Sequence, residues 1–302
     1  MLNKIRKILK VFKALLNTPS LANVIINTPN LKNIINNINQ FGGYTTVNIS
    51  TINHGEILKG RNILITGGST GIGLSIAKKC ISEGATVVIT GRDQEKLKKA
   101  KLEINSSLLK TIVWDVSQIN QQKDKIQEIE KLICGNIDIL VNNAGVLSGE
   151  NFPNVTEDVW DNVYNVNSKG LFFLTQLLCE KWMENKNLVY KKIINISSQG
   201  GFVGATYPYR MTKWDVAGLT QGLGIKMAPY GIIVNGIAPG VIATNMQPNC
   251  LEQGENVFYL HNPVRRFALP DEIAELAIFL MSDAGNFIVG QTIVSDGGFS
   301  VK

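Results

Sequence analysis

Tyr209 and Lys213 stand four residues apart, a spacing that sets two side chains on one face of an α-helix. The chemistry open to such a pair is proton transfer. A free phenol titrates near a pKa of ~10, too high for efficient acid–base work around neutrality, and an adjacent ammonium favours its ionised form. Tyr207 is the rival phenol, but four residues on it meets Met211, not a lysine. Tyr–Lys pairs are common on helix surfaces, so this one needs neighbours before it means anything. The first of these is the run Thr66-Gly67-Gly68-Ser69-Thr70-Gly71-Ile72-Gly73. A tight strand-to-helix turn needs glycine where φ is positive, and again where a pyrophosphate must approach the main chain. A strand before it and a helix after it separate that reading from glycines chosen for packing alone. Other chemistries have little to work with. The two histidines, His54 and His261, and the four cysteines, with no CxxC pair, make a zinc site or a serine–histidine triad hard to assemble. The dispersed cysteines read as reduced thiols.

The elements that must position these residues alternate. Asn62–Thr66 reads as a strand opening into the glycines, Ile72–Ser82 as a helix and Thr86–Thr90 as a second strand. Thr111–Trp114, Ile137–Val141, Lys192–Ile196, Ile232–Ile237 and Thr292–Val294 supply further strands, separated by stretches long enough for helices. Near-continuous β-branched runs, as opposed to alternating ones, imply strands covered on both faces. The expected fold is α/β, a doubly wound, Rossmann-like parallel sheet.

Further motifs follow in order. Asp115-Val116 follows the third strand and Asn142-Asn143-Ala144-Gly145 the fourth. Asn167 sits in Asn165-Val166-Asn167-Ser168-Lys169-Gly170, and Ser197-Ser198 closes the fifth strand. Tyr209-Arg210-Met211-Thr212-Lys213 opens the next helix, Pro239-Gly240 with Thr244 ends the sixth strand, and Gly290-Gln291 and Asp296-Gly297-Gly298 mark the last. With TGxxxGxG at its head, this series resembles the classical short-chain dehydrogenase/reductase family over about residues 58 to 300. The resemblance implies an oxidoreductase that interconverts a carbonyl and a secondary alcohol on a small or carrier-borne substrate, of 3-oxoacyl or sugar/polyol type. Tyr209 would donate a proton to the carbonyl oxygen while the cofactor gives hydride to carbon. Ser198 would hydrogen-bond the same oxygen, and Asn167 would bend its helix around a water linking Lys213 to solvent. Tyr209 and Lys213 also border the cofactor. The turn residues Gly67, Ser69, Thr70, Gly71, Ile72 and Gly73 would hold the pyrophosphate, and Asp115 with Val116 the adenine. Asn143, Ala144 and Gly145 would line the cleft, and Pro239, Gly240 and Thr244 would flank the nicotinamide. A homo-oligomer, dimer or tetramer, is implied as well. The serine-to-tyrosine interval, eleven residues from Ser198 to Tyr209, is shorter than in many family members. The loop Gly201–Pro208 would absorb the difference, and the spacing to Gly201 favours Ser198 over Ser197. Other readings keep the fold but alter the chemistry, giving a nucleotide-binding protein without turnover, or an epimerase or dehydratase working through a transient keto intermediate. A binding module has no use for the Tyr–Lys pair, and the latter relatives commonly carry TGxxGxxG.

The cofactor choice depends on Thr90-Gly91-Arg92-Asp93. An acidic side chain ending the second strand would hold both ribose hydroxyls and repel a 2′-phosphate. Gly91 occupies that place and Arg92 follows, whose guanidinium suits a phosphate dianion. This favours NADP over NAD, although Asp93 stands close by. From Asn245 to Leu269, where the family places a variable lid, come Tyr259, His261, Arg265 and Arg266. They suit either an anionic substrate or a solvent-facing loop whose arginines cap a helix.

Length and composition frame all of this. At 302 residues the chain is one large domain with an appendage. With 44% hydrophobic and 18% charged residues it can bury a core, which excludes whole-chain disorder. Of its 30 Lys and Arg, six lie in residues 1–55, which hold no Asp or Glu, so the other 24 balance the 24 acidic groups. The net charge of +6 is therefore local, and a nucleic-acid partner has little support. Leu2, Ile5, Ile8, Leu9, Phe12, Leu15 and Leu16 recur at helical spacing among lysines, a basic amphipathic helix. The echo Asn17-Thr18-Pro19 and Asn27-Thr28-Pro29 suggests two further short helices. The chain thus divides into an extension and linker at 1–55 and a catalytic domain at 56–302. Residues 1–16 suit attachment at a membrane surface, or packing on the domain or a partner. Lysines interrupt any leader-like run, and no apolar run approaches the roughly 18–20 residues of a spanning helix. The expected location is cytoplasmic, with or without that surface contact.

Overall fold

Seven short runs rich in Ile, Val and Leu form the sheet: β1 (Asn62–Ile65), β2 (Thr86–Gly91), β3 (Leu109–Val113), β4 (Ile139–Asn142), β5 (Lys191–Ile196), β6 (Ile232–Pro239) and β7 (Thr292–Ser295). The structure, a computed structural model, describes residues 55–184, 190–244, 259 and 261–301. The extension at 1–16, the Thr-Pro helices and most of the expected lid therefore lie outside the described residues, and of the expected extension and linker only Gly55 is described.

All neighbouring strands run parallel, in the order β3-β2-β1-β4-β5-β6-β7. Side chains leave each strand alternately to two covered faces, which is why no polar alternation shows in the sequence. Ile63, Ile65, Val87, Ile89, Val141 and Ile194 join one core with helices α1 (Gly71–Ser82), α2 (Gln94–Ile104) and the C-terminal helix Pro270–Met281. Leu64, Val88, Leu140, Ile193 and Val234 join the other. That second core is closed by α3 (Gln122–Leu132), by α5 (Leu171–Glu184) and by α6 (Pro208–Met227). The short α4 (Glu157–Tyr164) precedes a π-helical turn, Asn165–Gly170, that leads into α5; the C-terminal helix is α7. Because β1 lies between β2 and β4, the crossovers on its two sides go to opposite directions and leave a crevice beyond the carboxyl ends of β1 and β4. That switch point is where open α/β sheets take their ligands.

Every strand differs from the sequence reading by one or two residues at an end, and the starts of β3 and β4 differ by two. β3 starts at Leu109, its beginning concealed by Lys110. β4 begins at Ile139 and not Ile137: Ile137 is buried, but its carbonyl accepts from Trp182 Nε1 (2.9 Å) instead of the ladder. Polar groups tie the layers together. Asn142 Nδ2 donates to Thr175 Oγ1 and to Asn195 Oδ1, and Asn195 Nδ2 donates to Thr220 Oγ1, each at 2.9 Å. This network fastens β4 and β5 to α5 and α6. Lys192, fully buried, donates from Nζ to the carbonyls of Leu280 (3.2 Å) and Ser282 (2.5 Å). It sets a cation on the negative end of α7, and burial takes its ammonium down to about 8. Among the described residues no helix is long and apolar enough to cross a membrane.

Candidate active site

β1 ends in Thr66, and everything at the crevice is built from that point. Thr66 Oγ1 accepts from the backbone N–H of Asn143 and of Ala144 (3.1 Å each), joining the ends of β1 and β4. Gly67 follows at φ +65°, and a Cβ there would lie 2.8 Å from Ala144 Cα, so only glycine lets the two loops meet. Asn143 then reaches back, its Nδ2 donating to the carbonyls of Thr66 (3.0 Å) and Gly67 (2.8 Å). Beneath it lies Gly73, where a Cβ would stand 2.4 Å from Asn143 Nδ2 and 2.6 Å from the Gly67 carbonyl oxygen. The turn is held open over the N-terminus of α1, an anion-binding arrangement.

β5 delivers the serines and α6 the tyrosine. Ser197 is buried, and its Oγ donates to the Lys213 carbonyl (2.8 Å), which commits its hydroxyl proton to the main chain of α6 although the residue borders the same cavity. Ser198 keeps its proton uncommitted to the main chain: the Gly200 N–H donates to its Oγ (3.1 Å), and its hydroxyl favours the ionised form of the Tyr209 phenol. The two serines thus differ in hydrogen-bond partners while bordering the same cavity. Lys213 Nζ donates to the Ile196 carbonyl (2.9 Å) and lies 5.5 Å from the centroid of the Tyr209 ring. Burial pushes the Tyr209 phenol above its ordinary value, with the Ser198 hydrogen bond working against it. Burial likewise takes the Lys213 ammonium down to about 8. The chain's own groups therefore do not produce the lowered phenol that the Tyr–Lys spacing suggested. Desolvation is the largest influence on the phenol, ahead of the Ser198 hydroxyl.

Asn167 lies in the π-helical turn, one layer behind the crevice. Its Oδ1 accepts from the Val146 N–H (2.8 Å), and its Nδ2 donates to the Val146 carbonyl (3.0 Å) and to Thr212 Oγ1 (3.2 Å). The side chain is a strap between the loop after β4 and α6. The helix is widened to a π-turn at this point.

One cavity of about 550 Å³ runs along the carboxyl edge of the sheet. Most of the residues expected to bind cofactor line it: Gly67, Ser69, Thr70, Gly71 and Ile72 from the turn, Arg92, Asp115 and Val116 from one side, Asn143, Ala144 and Gly145 from β4, and Pro239, Gly240 and Thr244 from β6 and beyond. Ser198, Tyr209 and Lys213 line the same space. Gly73 and Asn167 do not; the former supports the turn from below, and the latter joins the loop after β4 to α6. At the end beside β2, Asp93 caps α2, its Oδ1 accepting from the N–H of Glu95 (2.9 Å) and Lys96 (3.1 Å). Those backbone hydrogen bonds, the one from Lys96 foremost, hold its carboxyl below the usual value. Asp115 Oδ1 accepts from the Ser117 N–H (2.9 Å) and hydroxyl (2.7 Å), while its Oδ2 is 3.9 Å from Arg92 Nη1.

The polar set expected of the lid is placed elsewhere. Arg266 makes a two-pronged pair with Glu272 (2.7 Å each), and Glu272 accepts from the Leu269 N–H (2.8 Å) at the start of α7. Tyr259 stacks on Phe267 with ring centroids 4.7 Å apart. Tyr259, His261, Arg265 and Arg266 are not among the residues lining the cavity, and Arg266 takes the helix-capping alternative. Conversely, sequence reasoning assigned no role to Thr66, Lys96, Gln199 or Arg210, of which the last three line the cavity.

Comparison with known proteins bears on the whole described domain. Residues 67–300 match the family model described as enoyl-(acyl carrier protein) reductase. The chain is 35% identical over 246 residues to a 3-oxoacyl-[acyl-carrier-protein] reductase of Aquifex aeolicus, covering 80% of this chain and 98% of that protein. It is 33% identical to gluconate 5-dehydrogenase of Gluconobacter oxydans, covering 81% and 96%. Among solved structures, the 3-ketoacyl-(acyl-carrier-protein) reductase of Brucella melitensis complexed with NADH superposes with a TM-score of 0.74 at 30% identity, covering 80% of this chain and 99% of that one.

Proposed function

Because the chain belongs to the classical short-chain dehydrogenase/reductase family, we propose that it interconverts a carbonyl and a secondary alcohol with Tyr209 as proton donor and acceptor. The cofactor is a nicotinamide dinucleotide, NAD(P), which when bound supplies or receives the hydride at the reacting carbon. The observation that carries the reading is the meeting of Ser198, Tyr209 and Lys213 in the same cavity as the glycine turn.

In the direction of reduction, Tyr209 gives its proton to the oxygen of the substrate carbonyl. Ser198 donates to that oxygen as charge builds, its own oxygen held by the Gly200 N–H; such fixed donors stabilise developing charge without reorganising. Lys213, with one proton on the Ile196 carbonyl, keeps the others for the cleft and supplies the positive charge that a departing phenolic proton requires. Burial holds the phenol protonated, the form that reduction needs. In this reading a water at the π-helical turn of Asn167 passes protons to Lys213.

NADP is the preferred form in this reading. Gly91 leaves the end of β2 without a carboxylate, and the carboxyl of Asp93 is held by the N–H groups of α2. Arg92 and Lys96 line the same end of the cavity, a basic pair suited to a 2′-phosphate. The substrate is a 3-oxoacyl compound or an oxidised sugar or polyol, and the active form is a homo-oligomer. A panel of both substrate classes, followed by NADPH absorbance, tests this. The expected result is turnover of at least one class, faster with NADPH than NADH, and a preference that narrows in Arg92→Ala. NADPH binding with no turnover across the panel would leave a nucleotide-binding protein instead.

A further inference from the structure

The residue after the tyrosine is an arginine, and its position has no use in the chemistry described so far. Arg210 lies in the first turn of α6, where the helix dipole disfavours a cation. That turn holds no acidic residue and no side-chain cap. The guanidinium stacks over the Tyr207 ring, 5.3 Å from its centroid, and donates from Nη1 to the Gly204 carbonyl (3.0 Å). Among the described residues no carboxylate stands within 4 Å of it. A Cβ built on Gly200 would lie 3.0 Å from Arg210 Cγ and 3.5 Å from Ser198 Oγ, so the arginine stem and the serine hydroxyl flank the same glycine.

Charge is divided along the cavity. Its two acidic residues, Asp93 and Asp115, belong to the end beside β2, whereas the walls near Tyr209 are Arg210, Tyr207, Gln199 and the apolar Val146 and Leu147. Gln199 Oε1 is buried there and meets no hydrogen-bond partner among the described residues; as an acceptor it suits a hydroxyl on the ligand and not its carboxylate. A guanidinium with unassigned donors, held by ring and carbonyl next to the reacting centre, is a carboxylate subsite.

We propose that Arg210, propped on Tyr207, receives a carboxylate carried by the substrate itself, so that the preferred substrate is an oxo acid or its hydroxy acid. This rests on the oxidoreductase reading above and narrows its substrate class. The anion is assigned to the substrate and not to a carrier because Arg210 and Ser198 flank Gly200 in the wall of one cavity. The phosphates of a pantetheine carrier lie a long extended arm away from the thioester carbonyl.

Three probes differ in charge and its position: acetoacetate, methyl acetoacetate and acetoacetyl-CoA. In the wild type the acid is preferred over the ester, and in Arg210→Gln the acid-to-ester ratio of kcat/KM falls about 10- to 100-fold, the worth of a hydrogen bond to a charged group. Arg210→Lys restores part of the ratio. NADPH binding followed by fluorescence checks that both variants are folded. An unchanged ratio overturns the proposal, as does a loss confined to acetoacetyl-CoA, which would give the guanidinium to the carrier. Calorimetry of acetoacetate with the NADP⁺-loaded protein, in which reduction cannot proceed, supplies a readout without turnover. Binding weakened by Arg210→Gln supports the subsite even if no probe is reduced, a result that would count against the oxidoreductase reading alone. Equal binding in both proteins overturns the subsite.

Discussion

At the scale of single residues, Lys213 and Lys192 are two ammonium groups buried in one domain, and both are brought down to about 8 from an ordinary 10.5. For Lys213 the consequence is kinetic. Its charge is complete below pH 8 and is lost as pH rises past it, so kcat/KM for reduction, which reports the free enzyme, is flat below about pH 8 and declines above. A profile flat to pH 10 would remove the ammonium from the mechanism. The same titration acts on stability with the opposite sign. Between about 8 and 10.5 the unfolded chain binds more protons at these two positions than the folded one. Their unfavourable contribution is full below pH 8 and is relieved as pH climbs through that window. Neither effect was legible in sequence. Lys192 meets Leu280 and Ser282 across the sheet, and nothing local to Lys192 announces a buried cation. The Tyr–Lys pair, by contrast, was readable because helical periodicity alone puts the two side chains together. Its pKa was not, since burial comes from the surrounding elements.

Among elements, the turn from β1 into α1 carries the strictest requirement. Gly73→Ala would drive a methyl group against Asn143 Nδ2 and the Gly67 carbonyl, both well inside contact distance. Overpacking of this kind costs about 1–3 kcal/mol, and here it also reshapes the cradle. Thermal unfolding should show that loss, and NADPH titration a dissociation constant raised at least about tenfold. Unchanged binding would mean that the turn does not hold the cofactor. This element was legible because its glycines leave a compositional trace, and the strand and helix on either side follow from periodicity. The strap from Asn143 was less so: the motif marks the residue but not that its amide faces the turn instead of a ligand. Asp93 is a parallel case. As a possible ribose acceptor it was ambiguous until the start of α2 at Gln94 turned it into a cap. Arg210 and Gln199 escaped notice because their roles arise only where the loop after β5 folds against α6.

Over the whole molecule, α5 and α6 present aromatic side chains to the outside. Phe172, Phe173 and Trp214 are each 39–49% exposed, and the two phenylalanines border a second cavity of about 530 Å³ with Tyr164 and Leu219. A monomer rarely leaves such a patch open, and under the proposed homo-oligomer a second copy covers it. Phe172→Glu combined with Phe173→Glu should shift the sedimentation coefficient to that of a monomer. Activity should fall with it, because α6 carries Tyr209 and Lys213. An unchanged assembly, or a wild-type monomer, would exclude this face as the interface. The parallel order of the sheet followed from its continuous apolar strands, whereas the partner of this face has no signature in a single sequence.

The central claim is that Tyr209 passes the proton, and Tyr209→Phe tests it with the least disturbance, removing one oxygen from the cavity. The account predicts that NADPH still binds within about twofold while turnover of the best ketone from the panel falls by about 10²- to 10⁴-fold, the usual worth of general acid–base catalysis. Turnover within tenfold of the wild type, with binding intact, would contradict it and return the proton to another group.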